Sequence, residues 1–201
     1  HYLTINAIDA MTEFKQFAKI APPLRTKEDN EVLWKGLANG SVDFVATDHA
    51  PYEIATEKSA PGMDIWTSFP GITGVETMVP VIVSEGYNKG KLTLSRLVEV
   101  LCKNPAIHYG LYPKKGALEL GCDADFTIID LNKEWTIDQN KLQSKAKFTP
   151  LHGMKLKGKV TKTIVRGKVV FDETKGITAD KGYGEYTKRQ TISKLPKVIN
   201  Y

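Results

Sequence analysis

Two residue types that hold metals and cross-links are scarce in this chain. Cys102 and Cys122 are its two cysteines, and His1, His49, His108 and His152 its four histidines, among 201 residues. The cysteine spacing fits neither a metal motif nor a disulfide framework, so a reducing cytoplasm is the expected compartment. Cys102 falls in an apolar helical pattern and is expected to be a core thiol, not a nucleophile. No apolar run approaches the roughly 18–20 residues that span a bilayer, so no membrane partner is expected. No signal-peptide pattern opens the chain. The formal net charge is +5, but like charges never form a long block, so no nucleic-acid partner is expected. The basic residues Lys188, Arg189, Lys194 and Lys197 near the end read as solvated surface. Internal repeats and low-complexity segments are also absent.

What is present is ordinary globular composition, 41% hydrophobic and 25% charged, enough for one large or two small domains. The most informative stretch runs Val42-Asp43-Phe44-Val45-Ala46-Thr47-Asp48-His49-Ala50-Pro51-Tyr52. Its β-branched and aromatic run, stopped by a proline, predicts a buried strand over 42–48. Asp48 and His49 then stand where the strand hands over to a loop. In a barrel of parallel strands that end carries the chemistry. A carboxylate there can bind a metal and take a proton from water. It can equally cap a turn through nearby backbone N–H groups.

Around this stretch the spacing predicts an irregular start over residues 1–27, with Ala21-Pro22-Pro23-Leu24-Arg25 rigid and extended. A helix follows from Thr26, with Val32, Leu33, Gly36 and Leu37 on its apolar face and Asn39-Gly40 at its end. Residues 52–70 read as a loop of functional length. Gly74–Gly86 reads as a helix with Val75, Met78, Val79, Ile82 and Val83 on one face. Thr93 is a candidate cap for a second helix reaching about Asn104. Beyond residue 110 the pattern turns to strands. A strand-turn signal falls at Gly116–Gly121, and a strand runs from Ala124 to Leu131. Strands at Lys159–Val165 and Lys168–Asp172 are joined by a tight Arg166-Gly167 hairpin. The last twenty residues read as a polar, extended tail.

Several segments, in order, resemble one family. They are Ala21-Pro22-Pro23-Leu24-Arg25, Glu31–Leu37, Thr47-Asp48-His49-Ala50-Pro51, Phe69–Thr77, Asn104-Pro105-Ala106, Lys115-Gly116, Gly121–Phe126 and Thr163–Gly167. Together these resemble the cyclic amidohydrolases: dihydroorotase, allantoinase and the dihydropyrimidinase/hydantoinase group. His1-Tyr2-Leu3-Thr4 reads as the middle of a motif, so the chain is expected to be the C-terminal part of a longer polypeptide.

The resemblance implies an α/β fold: the C-terminal portion of a TIM (β/α)8 barrel over residues 1–110, and part of a small β-sandwich with the tail over 111–201. It implies one or two zinc ions. Family members ligate them by a His-x-His pair, a carboxylated lysine or an aspartate, two further histidines, and an aspartate after the eighth strand. Asp48 matches that last aspartate, as metal ligand and catalytic proton carrier, and is expected to be buried. The remaining ligands are expected upstream of residue 1, since His1, His108 and His152 match no ligand position. His49 is expected to support the site from behind.

Substrate contacts are expected from Ala21, Tyr52, Pro70 and Gly71. In dihydroorotases Ala21 is usually Asn and Tyr52 usually His, both near the substrate carboxylate, so these two positions depart from that pattern. The Phe69–Thr77 stretch resembles dihydroorotase more than hydantoinase. Dihydroorotase is therefore the first expectation, with allantoinase and the dihydropyrimidinase/hydantoinase group as alternatives. The partner expected is a small cyclic amide or ureide, and the assembly a homo-oligomer, dimer or tetramer. A non-catalytic scaffold of the same fold is the reading from another class.

Overall fold

Asn6 starts the first ordered turn. Its side chain accepts hydrogen bonds from the N–H groups of Ile8 and Asp9, capping α1 (Ala7–Asp9). The coil widens over Ala10–Phe14 and tightens over Lys15–Ala18. Residues 1–27, expected to be irregular, thus contain helical turns. They form because Ile5, Ala18, Ile20 and Leu24 close a small core with Ile72. The structure, a computed structural model, describes residues 1–190.

Helix α2 (Lys27–Asn39) opens on a full capping box, with Thr26 and Asp29 exchanging side-chain and backbone bonds, and stops at Gly40 with φ 92°. Its buried face is Asn30, Trp34 and Leu37, spaced at i, i+4 and i+7, whereas Val32 is exposed. The Trp34 indole fixes this face by donating to the Leu3 carbonyl at 2.9 Å.

The strand expected over 42–48 is extended but joins no ladder among the described residues. A parallel strand needs neighbours on both sides. Here the segment is held instead by helices. Arg96 donates to the Val42 carbonyl at 2.8 Å, Asn104 to Asp43 at 2.8 Å, and Val45 N–H donates to Val100 at 3.1 Å. One parallel bridge, His49 to Ile72, is its only β contact among the described residues. These residues accordingly show helices around one extended segment and no closed barrel.

Helix α3 (Met78–Val81) continues as wider turns over Ile82–Tyr87. Helix α4 (Leu94–Val98) is capped by Thr93, widens over Glu99–Lys103 and runs into α5 (Asn104–His108). Ile82, Val83, Leu97 and Val100 pack with Trp34 and Leu37 in the largest core cluster. Val75 stays exposed. So does Cys102, expected in the core; Val100 takes the inward position beside it.

The second half is a four-stranded antiparallel sheet in the order β1 (Phe126–Thr136), β2 (Lys155–Val165), β3 (Lys168–Asp172), β4 (Gly176–Ile177). β1 and β2 outrun their expected limits because they pair with each other as far as Thr136 and Lys155. Arg166 and Gly167 both take positive φ, as a two-residue hairpin turn requires. Gly116–Gly121 forms turns, not a strand, leaving Leu118 and Leu120 exposed. Of the expected tail, residues 191–201 lie outside the described residues.

The sheet docks on the coil after α3 through Gly158. A Cβ built there would lie 2.4 Å from Val83 Cγ1, so only glycine admits the contact, and its φ of 110° favours glycine as well. Asn88 ties the joint by donating to the carbonyls of Leu131 at 2.9 Å and Lys157 at 2.6 Å. Among the described residues no helix is long and apolar enough to cross a membrane.

Candidate active site

Three stretches of chain meet beyond the extended segment: Lys19–Pro22, Asp48–Tyr52 and Phe69–Ile72. Ala50 N–H donates to Ile72 O at 3.1 Å, and Gly71 N–H donates to Lys19 O at 2.8 Å. The Tyr2 hydroxyl closes the third side by donating to Pro22 O at 2.5 Å. Burial, and then the negative charge of Asp48, raise the Tyr2 phenol above its ordinary pKa. Tyr2 thus bears on both Asp48 and the Pro22 end of the proline segment.

Asp48 itself is exposed, not buried as expected. Among the described residues no paired strand flanks it to exclude water. Its φ is 46°, a region aspartate tolerates better than most side chains. His49 turns elsewhere. Its Nδ1 accepts from Gly74 N–H at 3.1 Å and Val75 N–H at 3.4 Å. An accepting Nδ1 carries no proton, so a neutral ring holds its proton on Nε2. His49 thus fixes the backbone leading into α3 and makes no bond to Asp48.

Ala21 and Pro70 are exposed, Tyr52 is half-buried, and Gly71 is buried. The Tyr52 ring stands 5.3 Å from the Phe69 ring. A Cβ on Gly71 would come within 2.7 Å of Tyr52 and 2.5 Å of Ala50, so glycine is required here for space. Proline has no N–H, and that of Gly71 is engaged by Lys19 O. The Pro70–Gly71 edge keeps two carbonyls that accept no bond among the described residues.

Sequence reasoning passed over three contributors. Tyr2 shows in the sequence only as part of the His1–Thr4 stretch, Lys58 carries no motif, and a lysine in a polar loop normally reads as solvated. Lys58 is instead 1% exposed, and its ammonium donates to Phe69 O at 2.9 Å, Gln16 O at 3.4 Å and Lys19 O at 3.5 Å. The third is the stretch from Leu142 to Thr149. It folds onto the site as Glu76 accepts from Gln143 and Ser144 N–H at 2.9 and 3.0 Å, and as Thr73 donates to Phe148 O. An open cavity of about 560 Å³ lies between this stretch and the loop after Pro51, with His49, Glu57, Ser144 and Lys145 in its walls.

Among the described residues no group of three or more His, Cys, Asp or Glu side chains is placed to hold a metal ion. His1 lies in the wall of a small pocket with its Nε2 buried and unpartnered among the described residues. His108 stacks on Phe44 at 5.0 Å, and His152 accepts from Gln139 N–H at 3.2 Å.

Asp48, the proline segment and the Pro70–Gly71 step are thus brought to one end of the helical half. The chain belongs to the amidohydrolase family, whose model matches residues 7–170. Within it, the chain is 38% identical to the L-hydantoinase of Paenarthrobacter aurescens over 94% of its own length and 41% of the relative's. It is 43% identical to the dihydroorotase of Acetivibrio thermocellus over 86% of its own length and 39% of the relative's. The solved L-hydantoinase (dihydropyrimidinase) from Arthrobacter aurescens superimposes with a TM-score of 0.87 at 38% identity, covering 94% of this chain and 41% of that one. The chain thus spans about two fifths of the length of the relatives it matches.

Proposed function

We propose that the whole protein is a cyclic amidohydrolase, and in the first place a dihydroorotase, closing N-carbamoyl-aspartate to dihydroorotate and opening it again in pyrimidine biosynthesis. The observation that carries this reading is the meeting of the Lys19–Pro22, Asp48–Tyr52 and Phe69–Ile72 stretches, held by the Ala50–Ile72 and Gly71–Lys19 bonds. The ring of a cyclic amide presents N–H donors, which the carbonyl edge accepts, and a carbonyl carbon beside the carboxylate.

In ring opening, Asp48 takes a proton from the water that attacks the ring carbonyl. A C–O bond forms, the ring C–N bond breaks, and Asp48 returns the proton to the leaving nitrogen. Ring closure runs the same steps in reverse. Tyr52 bounds the pocket over Gly71, and Ala21 leaves room without offering a donor. Zinc, one or two ions, is the proposed cofactor, with Asp48 as the ligand this chain supplies. One carboxylate does not make a catalytic zinc site, which uses about three protein ligands. The described residues do not complete a site for the ion by themselves. We further assign residues 1–110 to the barrel and 111–201 to the sandwich and tail, and place the protein in the cytoplasm as a homo-oligomer.

Hydantoinase or dihydropyrimidinase activity is the second reading, favoured by Ala21 and Tyr52, which lack the carboxylate-binding groups usual in dihydroorotases. The test is turnover of dihydroorotate, dihydrouracil and allantoin by the full-length protein. Preference for dihydroorotate supports the first reading and preference for dihydrouracil the second. Preference for allantoin, or no turnover with zinc supplied, overturns both.

A further inference from the structure

Lys58 is the largest side chain among the fully buried ones, and among the described residues no carboxylate lies within ion-pair distance of it. A buried ammonium without a counter-ion is costly unless its protons are taken up by fixed acceptors. Here the acceptors are backbone carbonyls from two separate stretches: Phe69 O on one, Gln16 O and Lys19 O on the other. A second ammonium repeats the pattern in the opposite direction. Lys19 donates to Trp66 O at 2.9 Å and Ser68 O at 2.7 Å. Both stretches then run directly into the site. Lys19 is followed by Ala21-Pro22, Phe69 by Pro70-Gly71, and the Gly71 N–H donates to Lys19 O between them.

We infer that Lys58 and Lys19 form a clasp: two positioning residues whose side-chain nitrogens bind the 66–69 backbone to the 16–19 backbone and so set the distance between the Ala21 wall and the Pro70–Gly71 edge. The clasp rests on the proposed function only for its effect on turnover, since its geometry stands without a substrate. Neither side chain bonds to Asp48, the proposed proton carrier. Substrate binding is the step that depends on the spacing of the two walls, so the clasp acts on KM.

The clasp is also sensitive to pH. Burial, reinforced by the Lys19 ammonium, pushes Lys58 down to about 8. Lys19 is the charged group that bears on it from the facing turn. On its own loop, Glu53 and Glu57 line the outer cavity. In an opened loop Lys58 would titrate near its ordinary value of about 10.4. The closed arrangement therefore binds fewer protons than the open one between these values, and it is favoured as pH rises through about 8, where Lys58 holds the carbonyls as a neutral amine with two N–H donors.

The experiment uses the full-length protein and two readouts: amide hydrogen exchange at Gly71, normalised to its intrinsic rate at each pH, and steady-state kinetics on the preferred cyclic amide. Gly71 protection in the unmodified protein is expected to increase as pH rises from 7 to 9. In Lys58→Met the pH dependence is expected to vanish and protection to fall, with KM raised about tenfold and kcat within about twofold. A Lys58→Met protein with unchanged KM and unchanged Gly71 exchange overturns the clasp, whatever its melting temperature. If that variant does not fold, Lys19→Met decides by the same two readouts: unchanged Gly71 exchange and KM overturn the clasp, and lowered protection with a raised KM supports it. Absence of turnover on every cyclic amide would sink the proposed function alone, because Gly71 exchange still decides the clasp.

Discussion

The β1–β4 sheet and the stretch carrying Asp48 are both extended backbone, yet they are held in opposite ways. The sheet closes its own ladder, strand by strand, from Phe126–Ile164 to Asp172–Gly176. The 42–52 stretch has no ladder among the described residues and hangs on Arg96, Asn104, Val100 and one bridge to Ile72. One region carries its stability within itself. The other takes its shape from whatever packs around it, and that is where the proposed proton carrier stands. Substitutions in the sheet should accordingly be read in unfolding, and substitutions in the Asp48 stretch in turnover.

The strongest way to break this contrast is Asp48→Asn in the full-length protein. An exposed side chain without a structural bond should leave the denaturation midpoint in place, while loss of the proton carrier lowers kcat by about a thousandfold or more. Near-normal turnover, or a large drop in stability, would remove the role given to Asp48. The converse test is Gly158→Ala. The added methyl meets Val83 at 2.4 Å in a backbone of φ 110°, so the sheet joint should lose about 3 kcal/mol in urea unfolding. A loss under about 1 kcal/mol would show that the joint yields and that the sheet is not a rigid support.

The same contrast explains what could be read from the residues alone. Elements whose partners are near in sequence were legible: the Thr26 box, the Gly40 stop, the Thr93 cap and the Arg166-Gly167 turn each satisfy local bonds. The 42–48 strand was misjudged because a ladder is a property of neighbours, not of the run itself. Asp48 stands out by its place before His49 and Pro51, but its exposure was not legible, since burial depends on flanking strands. Val32 looked apolar-facing until the Trp34–Leu3 bond set the rotation of α2. Lys58 was invisible because nothing in its own loop marks it, and its acceptors lie 11 to 42 residues away.

A finer cut within the active stretch comes from Tyr52→His. Tyr52 packs on Phe69 and Gly71 at the rim of the site. An imidazole there is smaller and carries an N–H suited to a carboxylate. The ratio of dihydroorotate to dihydrouracil turnover should rise about tenfold, as the gain of one oriented polar contact allows. An unchanged ratio would take Tyr52 out of the substrate's reach and leave it as packing for Gly71.

The smallest effect tests the sheet from its polar side. Glu173 accepts from Lys133 at 2.7 Å and Lys159 at 2.9 Å, joining β1, β2 and the turn after β3. Its bonds to Lys133 and then Lys159 hold the carboxyl below its usual range. A depressed carboxyl stabilises the fold at pH above the unfolded value of about 4.3, and that contribution disappears as pH falls through the folded value. Glu173→Gln should therefore cost under about 1 kcal/mol at pH 7, where such partly exposed pairs are screened, and nothing below about pH 3. Turnover should not change at either pH if the sheet's polar edge and the Asp48 stretch are as separate as their bonding implies. A variant that kept its stability but altered kcat would mean that the sheet reaches the reacting groups after all.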